Sequence, residues 1–237
     1  MSPRRSPEHG PRTADSGHVL VVGATRVLRP AVLALAERGT HVTAVARSAT
    51  ALDSLVRACA GEVPGDVTPL AADATGPGFP GRLRDAARPA SPGEPRDATQ
   101  PGFSGEPPDA EALPALTGAL VYSPALPPGA AASCLRGLLG GPCVLLLPSR
   151  WADPAEAAVW GHGGAAGQGS WTPALLPPEA RPAEWVRPLV LGWRAEEGGT
   201  RWHTPEEISA AALELLDAPA PAAAVLGRVR PWAGRPG

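Results

Sequence analysis

Residues 18–48 read HVLVVGATRVLRPAVLALAERGTHVTAVARS, and they constrain the fold of this chain more than any other stretch. An apolar run at 18–22 stops at Gly23. A short turn leads into an amphipathic segment at 29–38, which Gly39 terminates, and a second apolar run fills 41–46. Helical periodicity between two continuous apolar runs is the pattern of a strand–helix–strand unit. Two strands joined by one crossover helix run parallel, and parallel strands are covered on both faces. The chain is therefore committed to a parallel sheet between helices.

The first turn of such a unit can hold a dinucleotide pyrophosphate when it carries the three glycines of the pattern G-x-G-x-x-G. Here residues 23–29 read GATRVLR, in which Gly23 is the one glycine and Arg26 and Arg29 follow it. The first glycine permits the tight turn, the second lets the backbone approach the phosphates, and the third lets the helix pack close to the strand. Only the first is kept. Arginine is a good phosphate ligand, so two outcomes stay open. Either a dinucleotide sits further out, held by guanidinium groups, or the scaffold binds none. At the end of the second run stand Ala46, Arg47 and Ser48. An acid there serves a free ribose 2′-hydroxyl, whereas arginine accommodates a 2′-phosphate. Arg47 therefore favours NADP(H), with a solvated loop arginine as the alternative.

Further along, 49–60 has a helical pattern, and a third strand at 67–71 ends in Ala72-Asp73. Residues 76–113 are rich in Pro, Gly and charge and show almost no apolar periodicity. Within this region DATGPGFPGRLRDA (73–86) recurs as DATQPGFSGEPPDA (97–110), nine of fourteen positions matching. One duplication does not make a solenoid, so 76–113 reads as an insertion into a permissive surface loop. Strands follow at 119–121, 143–147 and 185–191, with a helix at 130–139 between the first two. One or two helical turns are expected at 153–160 and a glycine-rich loop at 161–170. Thr204, Pro205 and Glu207 spell an N-cap, a first-turn proline and a capping box for a helix to about residue 216. A short last strand is expected at 223–229. Strands alternating with helices over 237 residues give one domain. The expected fold is α/β, a single-domain, doubly wound, Rossmann-like parallel sheet of six or seven strands at 18–237, preceded by a disordered tail at 1–17.

Composition narrows the partners. The net charge of −2 gives no bias toward nucleic acid or a membrane surface. No apolar run reaches the ~18–20 residues of a membrane span. Three cysteines without a CxxC pair fit reduced thiols in the cytoplasm. All 21 basic residues are arginine, so chemistry that needs a lysine amine is ruled out. Five histidines show no HxxxH or HExxH spacing, so no metal site is expected. Ser149 in LPSRW lacks the glycines of a hydrolase elbow. All seven tryptophans follow residue 150. Trp151 and Trp193 come just after the fifth and sixth strands, where ligands bind in open α/β sheets. They are candidates for a substrate pocket, with cover of the sheet as the alternative.

VLVVGAT at 19–25, Asp73 after strand three and Ser149 after strand five resemble the short-chain dehydrogenase/reductase superfamily. The ending TRWHTPEEIS…VLGRVRPWAGRP looks like a small bacterial group of such dehydrogenases. The resemblance spans 18–75 and 117–234. It implies nucleotide at the carboxyl edge of the sheet. Gly23, Ala24, Thr25, Arg26, Val27 and Leu28 would face the pyrophosphate. Arg47, with Ser48 beside it, would face the adenosine phosphate, and Asp73-Ala74 the adenine. Tyr122 and Ser123 would lie by the nicotinamide ribose, and Ser149 would be the substrate-orienting hydroxyl. The superfamily's usual proton donor is a Tyr followed four residues later by a Lys. Tyr122 is the only tyrosine, it lies in strand four, and the chain has no lysine. The standard route of carbonyl reduction is therefore excluded, whereas hydride transfer belongs to the cofactor and is not. Three readings follow. One is an atypical NADP(H)-dependent oxidoreductase of a small organic substrate, with Ser149 or Tyr122 polarising the acceptor. The second is a nucleotide-binding regulator or structural protein. The third is a redox-neutral enzyme, a cyclase or dehydratase, on the same fold. Association with further copies of the chain is compatible with each.

Overall fold

The computed structural model describes residues 17–61, 63–87, 116–125, 128–135, 138–153, 172, 176, 180–181 and 183–237. Its strands are β1 (His18–Val22), β2 (His41–Ala46), β3 (Val67–Ala71), β4 (Gly118–Val121), β5 (Cys143–Leu147), β6 (Val186–Leu191), β7 (Trp193–Glu196), β8 (Gly199–Trp202) and β9 (Ala224–Leu226). The helices are α1 (Arg29–Glu37), α2 (Ala49–Cys59), α3 (Phe79–Ala87), α4 (Pro128–Leu135) and α5 (Pro205–Asp217). Seven strands form one parallel sheet in the order β3-β2-β1-β4-β5-β6-β9. This is the doubly wound, Rossmann-like sheet the sequence calls for. The chain winds outward from β1 to β3 on one side, then returns to β4 and winds outward on the other. The order therefore reverses between β1 and β4.

Strand alternation sends side chains to two cores. Val19 and Val21 of β1, Ala44 of β2 and Leu120 of β4 meet α1, α2 and α5. Leu20 and Val22, Val121 and Leu145 meet α3 and α4. Full burial of an aliphatic side chain of this size stabilises by about 1.5–3 kcal/mol, so a one-residue slip of register would exchange the two sets and is strongly disfavoured.

The expected capping box is present. Glu207 N–H donates to Thr204 Oγ1 at 3.3 Å and Thr204 N–H to Glu207 Oε2 at 3.0 Å, with Pro205 in the first turn. The other end of α5 has no basic residue of its own in its last turn. Arg187 of β6, buried, donates instead to the carbonyls of Leu215 and Leu216, both at 2.8 Å. A cation at a helix C-terminus satisfies orphan carbonyls and complements the dipole.

Three findings differ from the sequence reading. First, the absence of a core pattern from residue 76 does not hold for α3. Phe79 and Leu83, one helical turn apart, are buried in the core on the α3/α4 side of the sheet. Gly76, Gly78, Pro80 and Gly81 mask that pair in the sequence. The second copy of the duplication lies outside the described residues, as do the tail at 1–16, the expected turns at 154–160 and the glycine-rich loop. Second, 193–202 form a hairpin, β7–β8, with Gly198 at φ 89 in its turn. Third, Trp193 is only 1% exposed and packs edge-on against Trp202 and Trp232, with centroids at 6.3 and 5.8 Å. It fills the space beneath the hairpin and does not wall an open pocket.

Because Leu83 has no exposed surface, Leu83→Ala is expected to cost about 2–5 kcal/mol. Thermal unfolding should show a fall in Tm of roughly 5–15 °C. An unchanged Tm would return α3 to the dispensable insertion.

Candidate functional site

In an open α/β sheet, ligands bind outside the carboxyl ends of the strands where the strand order reverses. In this chain that point is the end of β1 beside the end of β4. Val22 and Val121 are register partners, and Tyr122 N–H donates to Val22 O at 3.0 Å. Gly23 follows at φ 87, in the left-handed region. A Cβ at this position would stand 2.5 Å from the Tyr122 carbonyl oxygen. Both the dihedral and the space demand glycine.

Residues 23–28 then turn into α1. The Gly23 and Ala24 amides both donate to Val45 O of β2, at 2.9 and 3.2 Å. Ala24 and Leu28 are fully buried, Thr25 and Val27 partly so, and Arg26 is exposed. Of these residues, Ala24 and Leu28 can offer a ligand only backbone, whereas Arg26 can offer its guanidinium. The N-cap of α1, Leu28, makes no side-chain cap bond, and the first turn carries no acid. Such a helix start is electrostatically receptive to an anion.

Arg47 follows the end of β2 and Asp73 the end of the neighbouring strand β3, within electrostatic range of each other. Arg47 is exposed. Asp73 Oδ1 accepts from Thr75 N–H at 2.9 Å and from the Thr75 hydroxyl at 2.8 Å. These bonds, the backbone one foremost, and the positive charge of Arg47 hold the Asp73 carboxyl below its usual range. Ala74, the next residue, is buried in the core on the α3/α4 side. Ser48 caps α2, its hydroxyl accepting the Ala51 N–H at 3.2 Å.

The two hydroxyls proposed to polarise an acceptor face different surroundings. Tyr122 packs with the core of α1, α2 and α5. Burial raises its phenol above its ordinary value, so at neutral pH it is a hydrogen-bond donor and not a base. Ser149 opens a 3₁₀ turn, Ser149–Ala152, at the end of β5 and is partly exposed, as is Ser123 beyond β4. Trp151, in the same turn, packs half-buried against the core on the α3/α4 side. Arg150 donates to the carbonyl of Pro124, tying the loop after β5 to the loop after β4. Arg230 donates to Ala152 O at 2.5 Å and fastens the C-terminal segment to this turn.

Sequence reasoning missed Arg150 and Ser209. The Ser209 hydroxyl donates to Val27 O at 3.0 Å, from α5 onto the β1–α1 loop. Its only sequence signal is a serine within the apolar face of a helix. Other chemistries find no support among the described residues. Burial pushes the Cys143 thiol up to about 12 and also raises Cys59. No described group of three His, Cys, Asp or Glu residues is arranged to hold a metal. No described helix is long and apolar enough to cross a membrane.

No protein-family model and no curated protein sequence matches the chain. Solved structures do. It is similar to a 3-oxoacyl-[acyl-carrier protein] reductase with bound NAD from Brucella melitensis, at 14% identity and a TM-score of 0.55, covering 89% of each chain. An NADPH-dependent reductase of bacilysin biosynthesis matches at 13% identity and 0.57, over 90% of this chain and 98% of that one. A short-chain dehydrogenase from Sphingobium yanoikuyae, in complex with NADPH, matches at 15% and 0.52, over 88% and 87%. The fold is that of short-chain dehydrogenase/reductases. At such identities the likeness concerns the fold.

Tyr122 is the only tyrosine of the chain, so its ionisation can be followed alone. Tyrosinate absorbance is expected to titrate with a midpoint above the usual value of ~10. A midpoint below that value would make Tyr122 an activated acid instead.

Proposed function

We propose that this chain is an NADP(H)-dependent oxidoreductase of short-chain-dehydrogenase type that acts on a small organic substrate without the Tyr–x–x–x–Lys pair. The observation that carries the reading is Arg47. It is exposed just beyond the carboxyl end of β2, and that strand end carries no acid that would serve a free ribose hydroxyl. The donor set fits a dinucleotide phosphate. It has an uncapped helix start, a glycine with no room for a side chain at the strand reversal, and guanidinium groups at positions 26 and 47.

When bound, the cofactor supplies the hydride. The chain's own residues do the rest. Residues 23–28 turn backbone toward the pyrophosphate, and Arg26 adds charge. Arg47 pairs with the 2′-phosphate. Ser149, at the end of β5, would hydrogen-bond the acceptor oxygen through its O–H, and the proton that completes the reduction would come from solvent. Tyr122 stays protonated, and its place in the core on the α1/α5 side suits a supporting hydrogen bond better than proton abstraction. No lysine is available to lower that phenol's pKa, so the substrate is one whose reduction does not depend on an activated tyrosine.

The test is to titrate the purified chain with NADPH and with NADH while following tryptophan fluorescence. NADPH is expected to bind more tightly. Arg47→Asp should weaken NADPH about ten- to a hundredfold, the effect of a charge-assisted contact, and shift preference toward NADH. Equal affinity for both cofactors in the unaltered chain would overturn the assignment. A second reading has its own support, since only the first glycine of the fingerprint is present in 23–29, Arg26 and Arg29 crowd the turn, and the Gly23 and Ala24 amides are already engaged by Val45 O. This is a scaffold that no longer binds a dinucleotide. It predicts no NADPH binding until Arg26→Gly clears the guanidinium from the turn.

A further inference from the structure

Ser209 is nearly fully buried in α5, and its hydroxyl reaches across to the β1–α1 loop. We infer that Ser209 is a positioning residue that fixes the orientation of the Val27–Leu28 peptide, and with it the face the β1–α1 loop presents to a bound phosphate. The inference rests on the dinucleotide reading for its ligand, but its geometry stands independently. A trans peptide is planar, so the carbonyl of one residue and the amide of the next point in opposite directions. Drawing the Val27 carbonyl onto Ser209 turns the Leu28 N–H away from α5. That N–H belongs to the N-cap of α1, where no side chain supplies a cap.

This bond matters more here than in a glycine-rich loop. With arginine at positions 26 and 29, the helix start cannot be set by close glycine packing. The loop is held at two places instead. On the sheet side, Gly23 and Ala24 donate to Val45 O. On the α5 side, Ser209 holds Val27. The residue that does so is itself fixed. Two positions earlier, Glu207 closes the capping box and receives Arg194 Nη1 at 2.7 Å and Arg201 Nη1 and Nη2 at 2.8 and 2.9 Å. Those arginines belong to β7 and β8, and Arg201 also meets Glu196 at 2.6 Å. The first turn of α5 is thus anchored to the hairpin on one side and holds the loop on the other.

The test compares the unaltered chain with Ser209→Ala and Ser209→Cys. The thiol keeps the shape but is a weak donor. Amide hydrogen exchange is measured across the chain, and NADPH and 2′-AMP are titrated in parallel. Exchange of the hydrogen-bonded amides that frame the loop, those of Gly23, Ala24, Arg29 and Val32, is expected to rise about tenfold in Ser209→Ala and less in Ser209→Cys, with β5 and β6 unchanged. NADPH should weaken about three- to tenfold. Binding of 2′-AMP, which has no pyrophosphate, should not change. Unaltered exchange at these four amides in Ser209→Ala would overturn the inference. So would equal weakening of NADPH and 2′-AMP, or a rise in exchange spread over the whole sheet, because each points to a general structural role. If even the unaltered chain does not bind NADPH, the dinucleotide reading fails. Faster exchange confined to the four amides that frame the loop would then still support Ser209 as the residue that holds it.

Discussion

The close approach of two chain segments at the strand reversal governs the rest of the architecture. β1 and β4 are neighbours in space but nearly a hundred residues apart in sequence, and Tyr122 N–H bonds to Val22 O where the two strands end. The Tyr122 carbonyl then occupies the volume in which a Cβ on the next residue of β1 would lie. The chain can leave β1 only through a glycine in the left-handed region. That departure aims residues 24–28 over β2, where Val45 O collects two amides, and lets Leu28 drop into the core as α1 begins. The placement of α1 sets that of α5, the helix it packs against most closely. A side chain at position 23 would therefore disturb a contact between strands, a turn and a helix pair together, which is why the first fingerprint glycine persists while the other two do not.

Much of this was legible because it depends on local pattern. The continuous apolar runs of β1, β2 and β5 can only be strands covered on both faces. The Thr204–Glu207 box fixes a helix start to the residue, and the structure shows both of its bonds. Less legible were features whose cause lies far away in sequence. α3 hides because its two core residues, Phe79 and Leu83, are set among glycine and proline, which read as loop. The hairpin hides because Arg194, Glu196 and Arg201 carry no strand preference. They are held by ion pairs to one another and to Glu207. Trp193 looked like a pocket wall because it follows β6, but the hairpin and Trp232 close over it.

The candidate site shows the same division. The turn after β1 and Arg47 at the end of β2 are read from the strand–helix–strand pattern and Asp73 from the family resemblance, and the charge of Arg47 does reach the Asp73 carboxyl. Ser209 and Arg150 could not be found in this way. Each acts through a backbone carbonyl, Val27 O and Pro124 O, and carbonyls leave no trace in a sequence. Ser48 shows the reverse case, in which a hydroxyl in a suggestive position serves as a helix cap.

Charge at the carboxyl edge follows from the same arrangement. Arg26, Arg29, Arg47 and Arg150 all lie on segments that leave β1, β2 and β5 at that edge. Several carboxylates elsewhere are taken up by other partners: Glu196 and Glu207 by the hairpin arginines, and Asp217 by Arg38 at 2.9 Å. A chain with a net charge of −2 thus gathers positive charge where the strand order reverses. Arginine does not lose its proton in the range in which proteins work, and the chain has no lysine that could. Asp73, the acid beside Arg47, is held ionised by Thr75 and by that arginine. The charge these groups set at the edge is therefore constant through neutral pH. A phosphate-bearing ligand would meet the same field from these groups across that range, and pH dependence in its binding would have to come from other groups, the ligand's own phosphate among them.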